Sequence, residues 1–426
     1  MTNDSPTSTI SPASATNTAS IDTSPEVRDP GAQPAGLAAP VLILGGGIGG
    51  LAAALALARR GIASHVLERR PTFSPEGAGI QLGPNGTRIL AEIGVAAALD
   101  PLAGKPHTIH VRSAATGDTL ANLPLGAWAA ERHGSPYWVT HRRDLHGALL
   151  ATAEKQPLIS ITMGFNAGAI RDEGGAVTIT ETGTGNVVSG ACLIAADGLR
   201  SQVRRDVFAA PPPHYAGKSS ARAVIAAEAL PRSLRENATA IWLAPGAHIV
   251  HYPLRGSNEV AIVYTRDDRT PSEDWNAEVP REWVLDGSGR FADALRLLLE
   301  APTQWRKWAL YELASLPHWV KGRIALLGDA AHPTLPFLAQ GGVLALEDAS
   351  VIAREIAARP ADCAAALAAY ERARMDRATR VVAEAKKNGR IYHLDGVMAL
   401  ARNVTMKLTP PDRLMARYDW VYGWRG

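Results

Sequence analysis

The sequence predicts an α/β fold that is interrupted by an inserted antiparallel sheet and completed by C-terminal helices. Three patterns favour this fold: an apolar run that ends in a glycine-rich turn at Gly45, short β-like runs separated by Pro, Gly and Asn between residues 205 and 317, and an amphipathic, alanine-rich stretch over Ala364–Arg390. At 426 residues the chain exceeds what one hydrophobic core usually organises. We therefore expect two domains, or one large unit with an insertion.

Composition and charge exclude several classes of protein. The chain is 46% hydrophobic and 20% charged, as is typical of a globular protein. Its formal net charge of +3, without a basic run interleaved with aromatic residues, argues against a nucleic-acid partner and at most favours a small anionic substrate. Cys192 and Cys363 have neither metal-ligand spacing nor a disulfide framework, so we expect no metal and a reducing cytoplasmic setting.

The first 38 residues are rich in Ser, Thr, Ala and Pro and predict a disordered tail. The tail lacks the apolar stretch of a secretory signal, and its acidic residues beside a lone Arg28 argue against an organelle transit peptide. The uncharged stretch Pro40–Ala58 approaches transmembrane length. The glycines in its middle interrupt a helix, so a membrane span is the weaker interpretation.

The first element is a strand, turn and helix. Val41–Leu44 predicts a short buried strand, Gly45–Gly50 a turn, and Leu51–Arg60 a helix that Gly61 closes. The turn has the spacing Gly45-x-Gly47-x-x-Gly50, which lets a backbone turn tightly and approach a pyrophosphate. The pattern favours a dinucleotide, and at this point both FAD and NAD fit.

A second predicted strand, Ser64–Leu67, supports the dinucleotide interpretation. It ends at Glu68, about 20 residues after the glycine turn, where an acid is expected to bind an adenosine ribose.

Two later stretches decide between the cofactors. Leu193–Arg204 (LIAADGLRSQVR) and Gly322–Pro333 (GRIALLGDAAHP), taken in order with the glycine turn, resemble the Asp-Gly and Gly-Asp motifs of the single-component FAD-dependent aromatic hydroxylases, in the salicylate hydroxylase and 3-hydroxybenzoate 6-hydroxylase branch. The resemblance implies a bound FAD, NADH or NADPH as a transient co-substrate with NADH favoured, and O2. It also implies that Asp329 holds hydroxyls of the FAD ribityl or ribose. Locally, Asp329 also fits the role of a helix cap.

The resemblance extends to further segments. Gly77–Gly86 resembles the family's loop near the flavin, and Arg142 in His141–Leu145 matches an arginine that contacts FAD. The Gln-Gly-x-Asn loop of the family is here Gln340-Gly341-Gly342-Val343, and Val343 cannot donate the amide hydrogen bond of an asparagine. The cofactor contacts that we predict are Gly45, Gly47, Gly50, Glu68, Arg69, Arg142, Asp197, Asp329, Gly341 and Gly342.

The stretch His248–Leu254 (HIVHYPL) predicts the catalytic face. Side chains alternate along a strand, so His248 and Tyr252 share one face while His251 lies on the other. The stretch resembles a strand of the salicylate and 3-hydroxybenzoate hydroxylases in which a histidine and a tyrosine four residues later face the substrate ring. We predict His248, Tyr252 and Gln340 as catalytic residues, with His248 as the base that ionises a phenol and His251 as a structural residue.

The domain division that follows is a disordered tail at 1–38, the FAD-binding domain at 39–204 and 318–360, an inserted substrate domain at 205–317, and a C-terminal helical segment at 361–426. The aromatic stretch Tyr418–Trp424 predicts either a subunit contact or a docked tail.

The resemblance implies a monooxygenase that hydroxylates a small phenolic acid through a C4a-hydroperoxide of the flavin. The first choice is 3-hydroxybenzoate to gentisate. The alternatives are salicylate 1-hydroxylation to catechol, 6-hydroxynicotinate 3-hydroxylation, a flavin-binding protein without hydroxylase turnover, and a nicotinamide dehydrogenase. We expect no nucleic-acid or membrane partner, and a monomer or homodimer.

Overall fold

The computed structural model describes residue 37 and residues 39–73, 78–271 and 277–426. The tail predicted at 1–38 lies outside these residues except for residue 37, and Gly77 of the predicted flavin loop also lies outside them.

The strands are β1 (Val41–Leu44), β2 (Ser64–Glu68), β3 (Gly79–Leu82), β4 (Thr108–Ser113), β5 (Thr119–Pro124), β6 (Trp138–His141), β7 (Ile159–Met163), β8 (Ala167–Asp172), β9 (Val177–Glu181), β10 (Val187–Gly190), β11 (Leu193–Ala195), β12 (His214–Ala226), β13 (Ala238–Ala244), β14 (Ala247–Leu254), β15 (Glu259–Asp267), β16 (Ala277–Val279), β17 (Trp305–Glu312), β18 (Val320–Lys321) and β19 (Ile324–Leu326). The helices are α1 (Ile48–Ala58), α2 (Pro84–Glu92), α3 (Ala96–Leu99), α4 (Ala127–His133), α5 (Arg142–Ala153), α6 (Gln202–Asp206), α7 (Arg281–Leu285), α8 (Asp293–Glu300), α9 (Gly341–Ala358), α10 (Cys363–Tyr392), α11 (Gly396–Leu408), α12 (Pro411–Ala416) and α13 (Asp419–Tyr422).

A six-stranded sheet in the order β18-β19-β11-β1-β2-β7 organises the first core. All its pairs are parallel except β18 with β19, and its central strands are continuous apolar runs, as expected of strands covered on both faces. In register, Leu44 lies beside Ala195 and Ala195 beside Leu326. The glycine turn, the Asp-Gly motif and the Gly-Asp motif each follow one of these strands, so the three motifs meet at one sheet edge.

The helix after the glycine turn begins three residues earlier than predicted. It starts at Ile48, so Gly49 and Gly50 are helical. A side chain at Gly50 would lie 1.9 Å from the carbonyl oxygen of Gly45, and this close approach requires glycine inside the first helical turn. The stretch Pro40–Ala58 is thus divided between a strand, a turn and a helix. Within the described part of the chain, no helix has the length and apolar character to cross a membrane.

The inserted antiparallel sheet is larger than the four predicted runs. It has eight strands in the order β16-β17-β12-β15-β14-β13-β4-β5, and the predicted runs form parts of β12, β13, β14 and β15. Strands β4 and β5 come from 108–124, ahead of the predicted substrate segment, and β4 joins β13 in a parallel pair. The alternation of apolar and polar residues in these two strands is too short and irregular to predict that they belong to this sheet.

The amphipathic stretch Ala364–Arg390 lies within a single 30-residue helix, α10. The aromatic tail docks on it: the guanidinium of Arg380 lies 3.8 Å from the ring centroid of Trp420, and that of Arg374 lies 4.9 Å from that of Trp424. Arg88 donates to the carbonyl of Trp424. Of the two predicted roles for this stretch, the structure shows the docked tail. The α/β fold class with an inserted sheet and C-terminal helices is confirmed.

Candidate active site

The glycine turn approaches the Asp-Gly motif closely. Gly45 has φ +107°, and a side chain there would lie 2.5 Å from the carbonyl oxygen of Ala196. Gly47 caps α1 without a side-chain hydrogen bond, and in the described part of the chain no atom beyond its immediate neighbours in sequence lies within 4 Å of the position a side chain would take there. The first amides of α1 are therefore approachable by an anionic group, as a pyrophosphate site requires.

Two side chains hold the middle of this turn. Glu68 accepts from the backbone N–H of Gly46 at 2.8 Å and from the side chain of Arg70 at 2.9 Å. Burial acts to raise the pKa of Glu68, but hydrogen bonds from Arg70 and Gly46 outweigh it and lower the pKa. His146, a residue that sequence reasoning missed, bonds the carbonyl oxygen of Gly46 through Nε2 at 2.8 Å. Arg69 is exposed, and its cofactor contact stays a prediction.

The two motif aspartates have different surroundings. Asp197 accepts from the backbone N–H of Val203 at 3.2 Å through Oδ2, its Oδ1 has no hydrogen-bond partner among the described residues, and burial raises its pKa. Asp329 lies in a short 3₁₀ turn after β19 and is exposed. Its carboxylate is thus available to ligand hydroxyls at the sheet edge.

The motifs are tied to each other by Arg204, which is 2% exposed. It donates to the carbonyl oxygens of Ala330 and Ala331 at 3.0 and 3.1 Å, and also to that of Ala314. The arginine that ends the Asp-Gly motif therefore fixes the backbone of the Gly-Asp motif.

A buried charge network supports the loop that follows Asp329. Asp348 accepts from Arg374 at 2.7 Å, contacts His332 at 2.6 Å and accepts from the backbone N–H of Gly328 at 3.0 Å. Burial opposes ionisation of Asp348, but the charges of His332 and Arg374 hold its pKa well below its usual range. His332 is thus a structural member of this network.

The network continues to Gln340. Arg374 pairs with Glu347 at 2.8 Å, and Glu347 accepts from the amide of Asn85 at 2.7 Å. The same amide donates to Oε1 of Gln340 at 2.9 Å. Gln340 is 1% exposed, and its side chain is bonded to that of Asn85.

The residues after Gln340 begin helix α9. Gly341 and Gly342 are its first two residues, and a side chain at Gly342 would lie 2.8 Å from Ile80. Val343, which stands where relatives commonly have asparagine, is fully buried and packs against Gly86. At this position the chain therefore makes a core contact.

Arg222 of β12 and Arg142 of α5 lie close enough for their charges to interact. The guanidinium of Arg222 sits 3.5 Å from the ring centroid of Trp308, and its Nε is buried without a hydrogen-bond partner among the described residues. Burial, with a smaller contribution from the nearby charge of Arg142, lowers the pKa of Arg222 to about 9. Arg142 is the exposed first residue of α5. These positive charges are available to an anionic or electron-rich ligand.

An apolar cavity of about 120 Å³ lies between the inserted sheet and the C-terminal helices. Strands β4, β5, β13 and β14 form one wall, and α10, α11 and α12 form the other. The polar groups in its wall include His248, Gln81, Asn388 and Arg417.

The side chains of β14 alternate between two faces, as predicted. His248 and Val250 line the cavity, and Tyr252 belongs to the same core cluster. Ile249 packs in the core on the other face, and there His251 accepts from Nε1 of Trp242 at 3.2 Å.

His248 has a partner that the sequence did not indicate. Its Nδ1 lies 2.9 Å from Nε2 of His393, whereas the hydroxyl of Tyr252 lies beside Gly79. Burial, together with the neighbouring imidazole of His393 and the charge of Lys218, lowers the pKa of His248 well below its usual value. Burial raises the pKa of Tyr252 to about 12, against the opposing charge of Arg222. The imidazole is therefore the better proton acceptor of the two.

These residues fit a bound FAD. The glycine turn leaves its helix amides approachable, Asp329 is exposed, and the buried Nε of Arg222 and Oδ1 of Asp197 have no partner among the described residues. Among those residues, no group of His, Cys, Asp or Glu side chains is arranged to hold a metal ion.

Comparison with known proteins agrees with this fit. Residues 38–385 match the family model described as FAD binding domain. The chain is 37% identical over 385 residues to a 3-hydroxybenzoate 6-hydroxylase of Polaromonas naphthalenivorans (strain CJ2), covering 90% of this chain and 96% of that one. It is 35% identical to a 3-hydroxybenzoate 6-hydroxylase of Klebsiella oxytoca, with the same coverage. Among solved structures it resembles Klebsiella pneumoniae HpxO complexed with FAD and uric acid, with a TM-score of 0.80, 26% identity, and 89% and 95% of the two chains covered.

Proposed function

The chain belongs to the FAD-binding family of aromatic-ring monooxygenases, and from that premise we propose that it hydroxylates 3-hydroxybenzoate at position 6 to give gentisate. The observation that carries the proposal is a buried imidazole, that of His248, in the wall of an apolar cavity. The names of the relatives support the substrate.

FAD, when it is bound and reduced by NADH or NADPH, supplies an electrophilic oxygen atom derived from O2. We assign its binding to the glycine turn, Glu68, Asp197 and Asp329, with Arg69, Arg142, Gly341 and Gly342 as further contacts. The chain's own residues prepare the ring that this oxygen atom attacks.

A phenol is a poor target for an electrophile, and its phenolate is a good one. Nδ1 of His248 is engaged by His393, so Nε2 is the ring nitrogen that accepts the phenolic proton. A phenol near pKa 10 and an imidazole near pKa 6.5 differ by about 5 kcal/mol. The depressed pKa of buried His248 widens that gap, so the proton must move on from this residue.

We assign the orientation of the substrate to Gln340, Tyr252 and Arg417, of which Arg417 lines the cavity. Asn85 occupies Oε1 of Gln340, which leaves the amide nitrogen of Gln340 to donate to the substrate. Tyr252 beside Arg222 positions the ring. Arg417 brings a positive charge to the cavity wall, which favours an anionic carboxylate.

The test is product identification by liquid chromatography and mass spectrometry. FAD-loaded protein is incubated with NADH, air and, separately, 3-hydroxybenzoate, salicylate or 6-hydroxynicotinate. We expect gentisate from 3-hydroxybenzoate. The His251→Ala variant is the control and should give the same product, because His251 faces away from the cavity. Catechol from salicylate, or a dihydroxypyridine from 6-hydroxynicotinate, would change the assigned substrate and leave the reaction class unchanged.

A flavin-binding protein without turnover is the competing function. It predicts no NADH oxidation that depends on an aromatic acid, whereas the proposed function predicts both NADH oxidation and product. NADH loss that yields peroxide alone with all three acids would reject these substrates.

We also infer a cytoplasmic setting, supported by the buried free thiols of Cys192 and Cys363. A monomer or a homodimer is proposed, and sedimentation would distinguish them.

A further inference from the structure

Two histidines with buried side chains, His248 and His393, form a pair that extends from the cavity wall toward the surface. Nδ1 of His248 lies 2.9 Å from Nε2 of His393, and their ring centroids are 5.2 Å apart. His393 caps the C-terminal end of α10, and its side chain is 6% exposed. The rings of Phe337 and Tyr392 pack against the ring of His248, with centroid distances of 5.4 and 5.3 Å, and these contacts fix the orientation of the imidazole.

The line ends at a surface ion pair. Nδ1 of His393 lies 3.4 Å from Oδ1 of Asp267 and 3.2 Å from Nζ of Lys218. Lys218 and Asp267 also pair with each other, and their side chains are 24% and 59% exposed. A continuous path therefore joins the cavity to water through side-chain nitrogen and oxygen atoms.

Neither histidine is suited to hold a charge. Burial lowers the pKa of His248 well below its usual value, and burial together with Lys218 lowers the pKa of His393 to about 4 despite the opposing charge of Asp267. The charged groups that face the pair are Lys218 of β12, Asp267 of β15 and Arg402 of α11. If His248 is to act as a base, the proton that it accepts must therefore pass to another group.

We propose that His248 and His393 form a proton relay that carries the phenolic proton of the bound substrate from the cavity to the Lys218–Asp267 pair at the surface. The proposal rests on the proposed function, because it takes a phenol as the ligand of the cavity. His248 contacts the substrate, and His393 acts through His248 as a positioning and relay residue.

The relay conserves atoms and charge. The O–H bond of the phenol breaks as an N–H bond forms at Nε2 of His248, and the Nδ1–H bond of His248 breaks as one forms at Nε2 of His393. The Nδ1–H bond of His393 then breaks, and its proton passes to the carboxylate of Asp267 and on to water. Both imidazoles stay neutral, and nothing is oxidised or reduced. Return of one proton along the same path to the departing product restores both tautomers.

The primary test follows ionisation of the bound phenol, without turnover. Oxidised, FAD-loaded protein is mixed with 3-hydroxybenzoate in a stopped-flow instrument, and phenolate formation is recorded by ultraviolet absorbance. The variant is His393→Gln, whose amide can still hydrogen-bond His248 but cannot relay a proton. We expect phenolate formation at least tenfold slower than in the wild type. A wild-type protein that forms no phenolate, or a variant that forms it equally fast, overturns the relay.

Turnover gives a second measurement with its own controls. We expect His393→Gln to lower kcat about tenfold with KM within about threefold of the wild type. The deficit should vanish with a ring-fluorinated 3-hydroxybenzoate that is already ionised at the assay pH. In His393→Ala, imidazole should restore the rate, whereas 1-methylimidazole, which lacks an N–H, should not. Equal rescue by both amines, or a deficit that persists with the ionised substrate, would indicate a structural role only.

The two proposals fail separately. Phenolate formation that depends on His393 without any hydroxylated product would retain the relay and reject the hydroxylase. Gentisate formation that is equal in the wild type and His393→Gln would retain the hydroxylase and reject the relay.

Discussion

His248 and His251 stand three residues apart on β14 and share almost every local property. They are 3% and 6% exposed, and burial lowers the pKa of both, to about 3 for His251 and well below its usual value for His248. They differ in what lies beyond the ring: His248 faces a cavity and a polar path to water, whereas His251 stacks on Trp242 in the core. Burial and a depressed pKa therefore do not separate His251 from the residue that we propose as the base, whereas access on both sides of the ring does.

The largest expected effect separates the two histidines by activity. His248→Ala should lower coupled hydroxylation at least 100-fold, or about 2.7 kcal/mol, because it removes the base from the cavity. FAD content, read from the flavin absorbance, should stay the same. His251→Ala, assayed in parallel by product chromatography, should remain within about threefold of the wild type. Equal activities of the two variants would show that the assignment of faces to functions is wrong.

The same two variants should rank in the opposite order in stability, with His251→Ala losing more free energy of unfolding than His248→Ala. His251→Ala leaves the buried Nε1 of Trp242 without its acceptor, which should lower the free energy of unfolding by about 2 kcal/mol. His248→Ala should cost less, since the adjoining cavity admits water to the freed partner. Urea unfolding of the FAD-loaded proteins measures both. A His248 variant that is the less stable of the two would contradict this comparison.

The pH dependence of stability sharpens the comparison further. A histidine whose pKa is lowered on folding binds more protons in the unfolded chain, so stability falls as pH falls below about 6.5. For His251 the loss should continue to about pH 3, at up to about 1.4 kcal/mol per pH unit. His251→Leu should remove this contribution, seen as a shallower slope of unfolding free energy between pH 6 and about 4. Parallel slopes in the wild type and the variant would argue against a neutral, buried His251.

The smallest effect concerns the third residue on the catalytic face. Tyr252→Phe keeps the ring and removes a hydroxyl whose pKa of about 12 keeps it protonated near neutral pH, so that it is not available as the base. We expect kcat/KM to fall about fivefold, or about 1 kcal/mol, through weaker positioning of the substrate. Steady-state kinetics measures this change. A loss as large as that of His248→Ala would move the role of the base to Tyr252.

The sequence predicted the parts of the site that depend on local pattern. The glycine turn, Glu68 at the end of β2 and the opposite faces of β14 follow from glycine spacing, strand length and side-chain alternation. The fold class followed from the glycine turn, the β-like runs within 205–317 and the amphipathic stretch near the C-terminus.

Other parts depend on packing between distant segments. His393 is 145 residues from His248, and locally it is simply the end of a helix. Arg374 belongs to the stretch predicted as amphipathic, yet this charged residue is fully buried, because α9 supplies Glu347 and Asp348 to pair with it. Charge patterning along one helix cannot reveal acids contributed by another.

The support of Gln340 by Asn85, Glu347 and Arg374 has a consequence for how the protein is made. Asn85 and Glu347 are 262 positions apart, and Arg374 follows later still. At roughly 5–20 residues per second on a ribosome, roughly 15–60 s pass between synthesis of Asn85 and of Arg374. During that interval the nascent chain contains Asn85 but lacks the arginine that pairs with Glu347. A chain released before α10 is complete therefore leaves the ribosome without the buried cation of the network that supports Gln340.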